Sequence, residues 1–571
     1  MVSAPRLISI AAEHRPGCDV VLVGLGATGG AAAEVLTAQG AEVVAIEAGP
    51  RLDDVHWEPD ELHASVHNWM AEPKAAHEEP TWRGSAAEAA GPSPRSLLMM
   101  NGVGGASVHY EALSARLCPW NFEVRTAATR RYGPGAIPAE STVTDWPFGY
   151  DELEPYYGRA EQLLGVAGLA AGQSGPDGLT GDPFEGHRAS PYPMPPLRPH
   201  GWGRVATAAA RRLGWHPFPA PAAINSVPHD GRPACTYCGF CTGNGCYLGA
   251  KNSADVTFVR RAERTGLMRI ETMARVLRID TDSSGLASGV TYLQDGRAFF
   301  QPARAVLVGT FVFENVRLLL TSASRAFPAG LANNSGQVGR HFIAHLTPQV
   351  WGWFPGWDLN LLNGQWEQGA SCNDLNADNF DHAGLGFISG GMISAYPEAK
   401  PISLATSGVP PWIRQWGAEW KAWLRAHGRA VTPVSAQLDA LSYEDNFLDL
   451  DPARADPAGV PVIRITHRVH DNENRAYAFL QEQLDRWLRE AGAARTWAPP
   501  AIRVEGRHAY GGTRMGTDPA TSVVDPWGYC HEVPNLGVLG ASTFPTAGGV
   551  NPTLTAQAVA LRTAGHLVAR V

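Results

Sequence analysis

No apolar run in this chain reaches the roughly 18 residues that crossing a bilayer requires, and no stretch concentrates lysine and arginine. The first absence excludes direct membrane insertion. The second, with a net charge of −9, excludes a nucleic-acid surface. The N-terminal stretch MVSAPRLISIAAEHRPGCDV has no basic leader and no long apolar core, so it reads as neither a secretion signal nor an anchor. A cytoplasmic protein is the expectation, with a periplasmic location requiring export alongside a signal-bearing partner. Cysteine is scarce, at eight in 571 residues. Cys18, Cys118, Cys372 and Cys530 are scattered, which fits a reduced compartment rather than a disulfide framework. The other four crowd into CTYCGFCTGNGC, residues 235–246. At 44% hydrophobic and 18% charged, a chain of this length buries a large core in two or more lobes.

The stretch DVVLVGLGATGGAAAEVLTAQGAEVVAIEAGP reads as strand, glycine turn (Gly24, Gly26, Gly29), Ala-rich helix and second strand ending at Glu47. Glycines there let backbone approach a pyrophosphate at a helix N-terminus, and an acid about 20 residues on suits a ribose hydroxyl. FAD, NAD or a bare structural turn would each fit. A second cluster, MMNGVGGASVHYEALSARLCPWNF, follows where a plain nicotinamide domain would continue with regular βα units. Near the end, Asn551 precedes Pro552, Thr553 and an unbroken run to Val568. That pattern predicts an N-cap with proline at the first helical position, its positive end aimed at whatever precedes it.

The segment HAYGGTRMGTDPATSVVDPWGYCHEVPNLGVLGASTFPTAGGVNPTLTAQAVALRTAGHLV resembles the C-terminal signature of the glucose-methanol-choline (GMC) oxidoreductases. The resemblance puts His508 in the position of the catalytic histidine and Asn551 in that of its His-or-Asn partner. A near-neutral imidazole suits removal of a hydroxyl proton during hydride transfer, and an amide can orient the same oxygen. The same resemblance makes Asn101, Gly102, Gly104 and Gly105 the flavin-contacting turn. His109 falls where some pyranose oxidases bond histidine to flavin, or packs near the ring. Val276 falls on the adenine-side strand, and Gly309 and Thr310 lie beneath the cofactor, with Asn315 starting the following helix. Gly540, Ala541 and Ser542 fall at the ribityl and pyrophosphate contacts, although VLGAS carries glycine where many members have an acid.

The implied fold is α/β plus α+β, a Rossmann-like FAD-binding domain with a separate sheet-plus-helices substrate domain. Residues 15–345 would form the first, with an irregular Pro- and Gly-rich excursion over 125–235 and the Cys-rich segment at 235–246. Residues 346–500 would form the second, and 501–571 would return to the first carrying the catalytic pair. Among aromatic residues of the second lobe, Trp353, Trp357, Trp366 and Phe380 read mainly as core, as does His382. Trp412, Trp416, Trp420 and Trp423 read as a helical packing stripe, and Glu367, Asp374, Asp378 and Asp381 as a solvated loop face.

LCPWNF, TDWPFGYDELEPYY and GVPPWIRQWGAEWKAWL extend the resemblance to flavoprotein subunits of bacterial gluconate and related sugar dehydrogenases, and to aminoglycoside alcohol dehydrogenases. It implies an FAD enzyme oxidising a CH–OH group of a sugar, polyol or aminosugar, with a one-electron acceptor or cytochrome subunit as partner. A sugar oxidase using O2 and a lyase of the hydroxynitrile type are the rivals. Cys235, Cys238, Cys241 and Cys246 would hold a [3Fe-4S] cluster, as in related flavoprotein subunits, or a structural zinc, or no ligand.

Overall fold

The computed structural model describes residues 12–52, 57–93, 99–175, 178–397 and 399–568. The first eleven residues, part of the stretch read as lacking a leader, lie outside the described residues. The run CDVVLV forms the strand Cys18–Val23, whose last four residues are buried. Burial on both faces is what a continuous apolar run demands, and it is met at the centre of a parallel sheet. Val43–Ile46 and Arg297–Val308 pair with it in parallel on either side. Met268–Glu271 and Val533–Val538 extend the sheet outward, again in parallel. The hairpin Ala274–Thr281 and Ala287–Gln294 hangs from the strand Arg297–Val308.

Two helices with small side chains cover one part of this sheet. Ala27–Ala38 is alanine-rich, so it combines high helix propensity with a thin profile, and it packs against Thr553–Val568. A mainly antiparallel sheet forms a second layer. Val431–Leu438 is its spine, pairing with Gly391–Ala395, Gln349–Trp353 and Ile343–Leu346. Val504–Tyr510 joins through Ile343–Leu346, with a register shift between Ala344 and His345. A smaller sheet joins Phe447–Ala455 and Pro461–Thr466 to Thr81–Arg83.

Three local expectations are corrected. The excursion over 125–235 is not irregular throughout: helices Val124–Tyr132, Tyr150–Leu164 and Gly201–Arg212 lie in or across it. The tryptophan stripe is broken, because the helix Gly417–His427 starts after Trp416. Trp423 is buried on it, whereas Trp412 and Trp416 are exposed. Glu367 is buried rather than solvated. Among the described residues no helix is long and apolar enough to cross a membrane.

The helix Tyr150–Leu164 is held by a buried ionic cluster. Arg116 forks onto both carboxylate oxygens of Glu161 at 2.8 Å and reaches Glu154 at 3.2 Å, with Arg188 also on Glu161. Removing one partner of such a cluster strands buried charge. Arg116→Ala is therefore expected to cost about 3–5 kcal/mol, read as a lowered urea midpoint at unchanged slope.

Candidate active site

The parallel strands end on one side at glycine turns, and a cavity of ≈ 610 Å³ opens there beneath the antiparallel sheet. Gly24 leaves the strand at φ +85°, where a Cβ would stand 2.8 Å from the Gly309 carbonyl oxygen. Gly26 meets the second glycine cluster face to face: a Cβ on Gly105 would lie 2.9 Å from the Gly26 Cα. Such contact, with φ at +54°, demands glycine at 105. Gly24, Gly26, Glu47, Asn101, Gly105 and His109 all line the cavity. So do Val276, Gly309 and Thr310 on one wall, and Gly540, Ala541, Pro552 and Thr553 on another. Gly29, Gly102, Gly104 and Ser542 do not line it. They serve the backbone around it: a Cβ on Gly29 would be 2.1 Å from the Gly24 oxygen, and the Gly104 amide donates to Leu25 at 2.8 Å.

Glu47 does more than the expected ribose contact. Its carboxylate accepts from the amides of Leu25, Gly49 and Gly102 at 2.9–3.0 Å, so it ties the first turn to the second. A carboxylate has about four acceptor positions, which leaves one for a hydroxyl. Burial pushes its pKa up while the three N–H bonds hold it down. Asn315 is not the helix start but lies inside the helix Val312–Thr321. Its Oδ1 accepts from Thr310, and its Nδ2 donates to the Leu539 carbonyl and the Ser542 hydroxyl at about 3 Å, joining the crossover to the Gly540–Ser542 turn.

His508, on Val504–Tyr510, and Asn551, just before the last helix, meet in this cavity at 3.4 Å, Nε2 to Nδ2. Asn551 is not the expected cap. The helix begins at Thr553, its first carbonyl acceptor is Pro552, and Asn551 Oδ1 has no partner. The amide is thus free to face the cavity. The other side of His508 is built from residues the sequence did not single out. His345 Nε2 lies 2.5 Å from the Gly548 carbonyl oxygen. A carbonyl only accepts, so this nitrogen carries the proton and a neutral His345 presents a bare Nδ1, 3.3 Å from His508 Nδ1. Gln437 Oε1 lies 3.2 Å from the same His508 atom. Two acceptors therefore select the His508 tautomer protonated at Nδ1 and leave Nε2 a lone pair beside Asn551. Glu505, held by Arg507 through two bonds of 2.8 Å, places negative charge near this imidazole and favours its protonated form.

Four buried polar atoms without partners, His109 Nε2, Thr347 Oγ1, Trp366 Nε1 and Asn551 Oδ1, belong to residues lining this one cavity. Buried polar atoms are almost always bonded, so this concentration marks a ligand site. With the glycine cradle and Glu47, the residues fit a bound dinucleotide such as FAD.

Two family models described as GMC oxidoreductase match residues 198–347 and 442–560. The gluconate 2-dehydrogenase flavoprotein of Pantoea cypripedii is 32% identical, over 94% of this chain and 91% of that protein. The paromamine 6'-oxidase of Streptomyces fradiae is 31% identical, over 97% and 92%. The chain belongs to the GMC oxidoreductase family. Its fold matches a crystal structure of pyridoxine 4-oxidase from Mesorbium loti with a TM-score of 0.63 at 17% identity, covering 96% of this chain and 99% of that one. Members of the family bind FAD and act on CH–OH donors, and this chain is an oxidoreductase of that class.

The Cys-rich segment of this GMC oxidoreductase does not fit the expected cluster. Cys235, Cys238, Cys241 and Cys246 border one cavity of only ≈ 20 Å³, yet among the described residues no three His, Cys, Asp or Glu side chains are arranged to hold a metal. Cys235 Sγ instead accepts from the Tyr237 amide and the Gln365 side chain, and burial pushes its thiol up to about 11. The segment does abut the active site: the Gly243 amide donates to the His109 carbonyl, and Lys251 Nζ binds the carbonyls of Tyr110, Cys241 and Asn244.

Burial holds several imidazoles neutral. It drives His508, His109 and His341 down to about 3 and His345 to about 4, with neighbouring cations or histidines adding to the effect on the first three. The unfolded chain takes up these protons near the ordinary histidine value of about 6.5, so unfolding binds protons between there and the folded values. Stability contributed this way is full above about pH 6.5 and falls as pH drops through that window. Asp182 and Asp439, pushed up to about 7 by burial, bind protons earlier in the folded chain and offset part of the loss. A falling melting temperature between pH 6.5 and 4 is the expected result.

Proposed function

We propose that the protein is an FAD-dependent dehydrogenase that oxidises a CH–OH group of a sugar, polyol or aminosugar, with His508 as the base. The observation that carries this reading is the His508 Nε2 lone pair facing Asn551 in the cavity. Asn551 Nδ2 donates to the substrate oxygen and places its hydroxyl hydrogen against Nε2. FAD supplies the hydride acceptor when bound. As the C–H bond gives up its hydride, the oxygen loses its proton to His508, and the resulting imidazolium keeps its Nδ1–H on Gln437 and His345 and faces the Glu505 carboxylate. The start of the helix Thr553–Val568 lines the same cavity and favours negative charge there. His109, with its free Nε2, is the residue to bond or pack against the flavin.

The substrate class is supported by the gluconate, paromamine and fructose activities named for the relatives, and a partner subunit by the name of one of them, the fructose dehydrogenase large subunit of Gluconobacter japonicus, 28% identical over 96% of this chain and 97% of that protein. Electrons leave to a one-electron acceptor or a cytochrome subunit. A cytoplasmic location accords with cysteines that form no disulfide among the described residues. An absorption spectrum with flavin bands, bleached by a polyol without oxygen, tests the reading. A protein that turns over substrate without any change in the flavin spectrum would be a lyase instead.

A further inference from the structure

The roof of the cavity carries a ladder whose register points to the size of the substrate. Gln349 and Ser435 are direct cross-strand partners, as are Trp351 and Pro433. Leu346 pairs with Leu438 on the neighbouring strand end, so Thr347 comes next to Gln437. Alternate residues of a strand share a face, and all three pairs line the cavity. Gln437 touches His508, which makes this the reacting end. From Thr347 to Trp351 the face runs about 13 Å along the strand.

The chemistry changes along that length. Near His508 it is polar: Thr347 Oγ1 is buried without a partner, beside the Gln437 amide and, one pair on, Ser435. Gln349 then links the polar part to an aromatic end, accepting from Trp351 Nε1 at 3.2 Å and donating to the Tyr396 hydroxyl at 3.0 Å. Tyr396 stacks on Trp366 with ring centroids 3.5 Å apart, and both line the cavity. Trp366 Nε1, buried and unpartnered, offers a donor there. A single small polyol at His508 would leave the aromatic end empty. We infer that the physiological substrate is a glycoside at least two rings long, hydroxylated around the oxidised carbon and presenting a ring face to Trp351, Tyr396 and Trp366. Aromatic rings suit the apolar faces of sugars, and Thr347 supplies the hydroxyl contact that selects a polyol over a simple alcohol.

The inference rests on the dehydrogenase reading only for which carbon lies at His508. It is tested by binding, which needs no chemistry. The flavin-loaded protein is titrated with glycerol, glucose and maltose, and occupancy is read from the perturbation of the flavin spectrum or, for any oxidised member, from anaerobic KM. Maltose is expected to bind at least about tenfold more tightly than glucose, the gain that one or two net hydrogen bonds provide. Equal, weaker or undetectable binding of maltose overturns the inference. In the Trp366→Phe protein the maltose-to-glucose ratio is expected to fall severalfold, whereas Thr347→Val, at the end both sugars share, is expected to weaken both and leave the ratio unchanged. An intact gradient in a protein that no alcohol bleaches would support the ladder and count against the dehydrogenase. A bleachable protein with a flat series would do the reverse.

Discussion

Replacing His508 with alanine is expected to leave the flavin bound and to lower its anaerobic reduction by an alcohol about 10²-fold or more, the contribution of a positioned general base. The loss follows from the local supply of acceptors. With the imidazole gone, Asn551 offers only its amide, His345 has its proton committed to the Gly548 carbonyl, and Glu505 is locked onto Arg507. None of these three described neighbours replaces the lost base. His345→Leu should cost less, because Gln437 still holds His508 Nδ1. Near wild-type reduction in the His508→Ala protein would remove the assignment.

The second large effect concerns the cradle rather than the chemistry. Gly29→Ala is expected to yield protein isolated without flavin and with a depressed melting temperature. The added Cβ would stand 2.1 Å from the Gly24 carbonyl oxygen, so helix Ala27–Ala38 has to move off the turn. That turn is braced through Leu25, whose amide bonds Glu47 and whose carbonyl bonds Gly104. A shift therefore propagates to the second glycine cluster. The cost should exceed the about 1–3 kcal/mol of ordinary overpacking. Gly158→Ala, inside the helix Tyr150–Leu164 with nothing within 4 Å of the new Cβ, is the control. It should be neutral or stabilising by about 0.5–1 kcal/mol, with flavin retained.

What the sequence made legible is what contiguous residues determine. The strand, turn and helix around Gly24–Gly29 can be read because each step is local, and the cleft they form lies where the parallel strands end. His508 and Asn551 were found through a long signature. Their supports were not: His345 and Gln437 reach His508 only through the pairing of Ile343–Leu346 with its neighbours, across a register shift, and nothing in HFIAHLTP announces which histidine faces the site. Asn551 misled as a cap for a related reason. The Asn-Pro pair fits a helix start, but the start falls one residue later, and the side chain turns to the cavity instead. The four clustered cysteines were read through spacing and the resemblance to flavoprotein subunits; they do border one small cavity, yet among the described residues no three of them are arranged to hold a metal.

Oxidation of a CH–OH group with His508 as the base is checked by mixing the flavin-loaded protein without oxygen with a sugar alcohol and with the same compound deuterated at the oxidised carbon. Bleaching of the flavin is expected, slowed by deuterium at that carbon in wild-type protein and nearly abolished in the His508→Ala protein. Bleaching insensitive to both the deuterium and the His508 substitution would contradict it.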